Sequence, residues 1–127
     1  MDKQLQWILG KTIQTVYIKR DENYNNNIIS IYFIIENGIL SLDVHQETDE
    51  IILGNLIDIN NEQYREDLII SELFKNKKII SFWFPVNNQG FNDVFMLGLD
   101  KFVPTHLFST IASCIKINII KQIDNLS

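Results

Sequence analysis

Ser30, Asp43 and His45 are the side chains that come nearest to a nucleophile, its orienting carboxylate and a base. A reactive serine needs a base within hydrogen-bond reach, an exposed oxygen and an oxyanion hole. A serine in mid-strand has its N–H tied into the ladder and lacks the strained Gly-x-Ser-x-Gly elbow, which weighs against catalysis here. His45, Glu47 and Asp49 could instead turn one imidazole and two carboxylates toward a divalent metal. Thr48-Asp49-Glu50 has the composition of a turn that would break this alternation, and no second histidine, Cys pair or His-Glu-x-x-His run stands nearby. No metal or other cofactor is therefore expected. Gly10-Lys11-Thr12 has the ending of a phosphate loop without its earlier glycine or its following helix. Cys114, the single cysteine, lies in an apolar run, where such a thiol acts as a small hydrophobe.

The elements that must position these residues are mostly strands. Asn37-Gly38 between two β-type runs predicts a type I′ hairpin, because both central positions of that turn need positive φ. That turn would set Glu36 opposite Ile39. One face would then carry Ile35/Leu40, Phe33/Leu42 and Ile31/Val44. The other would carry Ile34/Ser41, Tyr32/Asp43, Ser30/His45 and Ile28/Glu47. Further strands are predicted over 12–19, 51–53, 78–86 and 91–99, and Ile115, Ile117 and Ile119 alternate near the end. Short helices are predicted over 2–9, closed by Gly10, and over 62–76.

The segment from Gly10 to Ile18 aligns without gaps on that from Asn76 to Phe84, each following a predicted helix and becoming a strand. This suggests two α-β-β-β units. The fold expected is a single α+β domain over residues 1–127. It would hold an antiparallel sheet of about six strands with two short helices on one face. Of the aromatic cluster in the second half, alternation sends Phe82 and Phe84 to the core and Trp83 to the opposite face. Trp83 is there a candidate contact for a partner.

At 127 residues the chain has the length of one domain, and 46% hydrophobic with 21% charged residues lies in the globular range. Its 23 isoleucines favour strands, since β-branched side chains suit a pleated, half-buried surface. No apolar run is long enough for a spanning helix. Met1-Asp2-Lys3-Gln4 lacks the basic start and apolar stretch of a secretion signal, so a cytoplasmic protein is expected. The net charge of -5 hides a polarity: Asp21 through Glu72 holds twelve carboxylates and one base, Arg65, against ten bases and four acids elsewhere. An acidic surface repels nucleic acid and speeds encounter with a basic protein. Lys19-Arg20 and Lys75-Lys77-Lys78 are too short for a nucleic-acid site.

The runs Glu36-Asn37-Gly38 through Ile51, Leu97-Gly98-Leu99-Asp100, and Pro104 leading to Ile111-Ala112-Ser113 resemble small uncharacterised bacterial proteins of immunity type. The resemblance implies a non-catalytic protein that binds a toxin. Together with the charge pattern it makes Asp43, His45, Glu47, Asp49, Glu50 and Trp83 the expected partner-binding residues. Two other readings stand beside it: a small-ligand or metal-dependent enzyme on the Ser30/Asp43/His45 face, and a homo-oligomeric structural module using Trp83 and sheet edges.

Overall fold

A computed structural model describes residues 3–23, 25–59 and 64–121. The strands are β1 (Ile13–Asp21), β2 (Asn27–Ile35), β3 (Gly38–Val44), β4 (Ile51–Leu56), β5 (Arg65–Glu66), β6 (Ile79–Trp83), β7 (Val94–Leu99), β8 (His106–Ile111) and β9 (Cys114–Ile119). They form two antiparallel sheets, ordered β4-β3-β2-β1-β5 and β6-β7-β8-β9. The protein is therefore mostly β, and the expectation of one six-stranded sheet under two helices is incorrect.

The helices shrink for identifiable reasons. The first is a single 3-10 turn over Gln6–Ile8, and one residue of the segment expected to be helical, Asp2, lies outside the described residues. Of the second, residues 62 and 63 are outside the described residues, Arg65–Glu66 pairs with β1, and only α1 (Leu68–Ser71) is helical. Asp67 caps it by accepting from the Ile70 N–H at 3.0 Å. Leu68 and Ile69, apolar residues of the segment expected to be helical, are 72% and 84% exposed. Strand β8 escaped prediction because three polar or aromatic side chains, His106, Phe108 and Thr110, are its buried set. Hydrogen bonding rather than apolarity is what satisfies two of them.

The 30s hairpin forms, but its register is two residues away from the one expected. Ile35 pairs with Gly38, Phe33 with Leu40, Ile31 with Leu42 and Ser30 with Asp43. Only Asn37 has positive φ, at 65°, so Glu36-Asn37 is the two-residue loop and the turn is not type I′. A shift of two preserves the faces, so the apolar set still points inward. Gly38 is instead required by packing: a Cβ there would lie 2.7 Å from the Trp7 ring.

The two segments that align in sequence lie antiparallel against each other. The Gly10 N–H donates to the Ile79 carbonyl and the equivalent Asn76 N–H to the Ile13 carbonyl, at 2.7 and 2.8 Å. The Ile13 and Ile79 N–H groups donate to Lys77 and Lys11 in the same reciprocal way, both at 2.9 Å. Thr12 and Lys78 bridge, and their N–H groups donate to Glu36 and Asp100 respectively. Gly10 and Asn76 both take positive φ. Each half is thus a turn followed by a four-stranded meander, with β1–β4 answering β6–β9 about a local two-fold relation. Between the sheets lies one core, in which Phe74 sits 5.3 Å from Phe33 and 5.8 Å from Phe108, with Phe95 stacked beyond.

Candidate functional site

Three connections meet at one end of the larger sheet: the β1–β2 loop, the β3–β4 loop from His45 to Glu50, and the β8–β9 turn at Ala112-Ser113. The last is a two-residue hairpin with positive φ at both positions, 53° and 63°, on residues that resist it. Asp49 holds it there. Its carboxylate accepts from the Ser113 N–H at 2.7 Å, its carbonyl accepts from the Thr110 hydroxyl, and its own N–H donates to the His45 carbonyl. The His45 N–H donates to the Glu50 carbonyl at 2.8 Å, closing the loop. Arg20 fixes the neighbouring loop by donating to the Asn26 carbonyl at 2.9 Å and to Asp67 at 3.2 Å.

Between these connections is a cleft of about 440 Å³ lined by Asp21, Asn25, Asn27, Gln46, Ser113 and Cys114. In the connections that bound it Glu22, His45 and Glu47 are exposed, while Asp49 and Glu50 are half-buried. Of the expected partner-binding residues, His45, Glu47, Asp49 and Glu50 thus share one loop, with Asp49 used as a structural tie. Asp43 faces away, half-buried on the outer face of the sheet, and Trp83 is half-buried on β6 opposite Met96. The acidic segment is divided by the fold. Glu36 lies at the opposite end of the sheet, and Glu66 and Asp67 flank β1.

The outer face of β2 and β3 carries the polar set that suggested chemistry. Ser30 donates to Asp43 at 2.5 Å, and the Tyr32 hydroxyl stands 2.7 Å from that of Tyr64 and 3.3 Å from Asp43. Burial, reinforced by the Tyr64 hydrogen bond, holds the Tyr32 phenol well above its ordinary value. The two rings meet edge to face at 4.3 Å, and the Lys19 ammonium lies 5.8 Å from the Tyr64 ring centre. The two-residue register difference puts Asp43, not His45, opposite Ser30. The His45 ring instead accepts from the Glu47 N–H at 3.3 Å. The serine proton is directed at a carboxylate, and the expected base stands elsewhere. Among the described residues, no three His, Cys, Asp or Glu side chains are grouped to hold a metal ion.

His106 is a titratable group that sequence reasoning passed over. Its Nε2–H donates to the Leu73 carbonyl at 2.9 Å, and Nδ1 lies 2.7 Å from the Thr105 hydroxyl. Burial lowers its pKa despite the Leu73 bond, and Lys77 adds to the lowering. The amides of the cleft, Asn25, Asn27 and Gln46, were also missed; the Asn-rich composition of 23–27 was the available signal.

The architecture is that of an all-β protein made of two like meanders with a polar, loop-built end. The chain belongs to a family of unknown function (DUF6334), matched over residues 1–124. No curated protein matches it, and no solved structure does. No helix among the described residues is long and apolar enough to cross a membrane.

Proposed function

We propose that this is a non-catalytic, cytoplasmic binding protein that captures a basic protein partner with the loop-built end of its larger sheet. The observation that carries this reading is that the β1–β2 connection, with Asp21 and Glu22 at its start, and the β3–β4 connection, with Glu47, Asp49 and Glu50, meet at one end of the sheet, their backbones tied by Arg20 and Asp49. Tied loops lose little entropy on binding, and clustered carboxylates speed the approach of a cationic surface. A cationic toxin, which the resemblance to immunity proteins suggests, is a partner of this kind. The Ser30–Asp43–Tyr32 network is assigned to the rigidity of the sheet.

The test compares proteins captured at low salt by the wild-type chain and by a Glu22→Gln/Glu47→Gln/Glu50→Gln variant. Basic proteins bound by the wild type and lost from the variant support the reading. The same bound set for both would remove this end from the account.

A further inference from the structure

The two sheets have four edge strands among the described residues: β4, β5, β6 and β9. An exposed edge presents unpaired backbone donors and acceptors to any second strand. Strand β5 has two residues, and β6 carries a bulge at Ile80 while its start is bonded to residue 11. Strand β4 uses its outward Ile51 N–H on the Asn92 carbonyl at 2.7 Å, and Gln4 and Trp7 lie along it. Strand β9 pairs with β8 in unbroken register over six residues.

The local two-fold relation sharpens the contrast. Trp7 and Leu73 are equivalent positions, as are β4 and β9. Where β4 has Trp7 beside it, β9 has the smaller Leu73 and ends in Ile119, which is 54% exposed. An indole lies along one edge; its counterpart has only an aliphatic side chain there.

The hydrogen-bond pattern fixes what β9 can still do. The Ile120 N–H donates to the carbonyl of Thr105, the residue just before β8. Antiparallel ladders alternate, so residues 114, 116 and 118 also turn toward β8, leaving the N–H and C=O groups of Ile115, Ile117 and Ile119 directed outward. Outward groups must meet outward groups. Of the two-fold pairings of β9 with itself that meet this condition, only two keep five residues of each strand in register, one centred on Ile117 and one placing Lys116 opposite Lys116. Like charges directly opposed are unfavourable, which selects the first. Lys116 then faces Asn118 of the other copy, and Ile119 faces Ile115.

We propose that β9 is a self-association edge, on which two copies of the chain pair antiparallel about Ile117 to join their smaller sheets. A contact of five residues per strand is well below the about 1,200 Å² of a stable interface, so the dimer is weak, with a Kd on the order of micromolar or higher.

Sedimentation velocity from micromolar to millimolar protein tests this. The wild type is expected to pass from monomer to dimer. Asn118→Glu, which meets Lys116 twice across the two-fold, should tighten the dimer about tenfold, and Asn118→Lys should weaken it by a similar factor. A tighter dimer cannot come from misfolding, so the Glu variant controls the Lys variant. A wild type that stays monomeric throughout overturns the proposal. So does a dimer that Asn118→Glu weakens or leaves unchanged, since then a different register or surface makes it.

Discussion

Replacing Asp49 separates its structural role from any contact with a partner. Its backbone has φ of 58°, a conformation that Asp tolerates and alanine resists by about 1 kcal/mol. Its carboxylate accepts from the Ser113 N–H, and a hydrogen bond to a charged group contributes about 1.5–3 kcal/mol. Asp49 is half-buried, so the lower part of that range applies. Asp49→Ala loses both contributions and should cost about 2–3 kcal/mol. For a chain of this length that is a fall of roughly 10 °C in Tm. Asp49→Gly keeps the left-handed backbone at ease and loses only the carboxylate, so its fall should be roughly half as large. Asp49→Asn keeps both the conformation and an acceptor oxygen and should be the mildest. Calorimetric melts at neutral pH give the order Ala, Gly, Asn. Three variants melting within a degree or so of the wild type would refute the claim that Asp49 holds the 112–113 turn.

Other consequences follow from packing and titration. Gly98→Ala should destabilise by about 2–3 kcal/mol, because its Cβ would lie 2.6 Å from the Lys101 carbonyl and 2.8 Å from that of Val103. Gly38→Ala meets the Trp7 ring, which can shift. The loss in urea melts should be smaller than for Gly98→Ala and accompanied by altered tryptophan emission. His106 has its pKa lowered by burial, so the unfolded chain takes up its proton first. Stability is full above about pH 6.5 and declines as pH falls toward the folded value. Urea midpoints should show this decline, and His106→Gln should remove it. A wild type whose midpoint is flat through that window contradicts the burial. Asp67, lowered mainly by the Ile70 N–H, contributes stability above the usual carboxylate range that is lost only in stronger acid.

The strands were legible wherever one face is apolar. Ile31, Phe33 and Ile35 with Leu40, Leu42 and Val44 announce their shared face by alternation alone. The register was not legible, because it depends on which two of Glu36, Asn37 and Gly38 turn, and Trp7, some 30 residues away in sequence, claims the space at Gly38. The same non-local logic hid β8 and dissolved the second helix, whose Leu68 and Ile69 carry helical spacing without burial. At the candidate site, the turn at 48–50 and the acidity of the β3–β4 loop were visible in sequence. The cross-ties between Asp49 and Ser113, and between Arg20 and Asp67, join distant segments and had no local signature.

The most direct measurement of the proposed function is an amide chemical-shift titration of the labelled protein with an oligolysine peptide at low salt. The account predicts shifts concentrated on Asp21, Glu22, Glu47 and Glu50 that disappear as salt is added. Shifts spread evenly over Glu36, Glu66 and Glu72 as well would contradict it, because the loop-built end would then be no more attractive to a basic partner than any other acidic part of the surface.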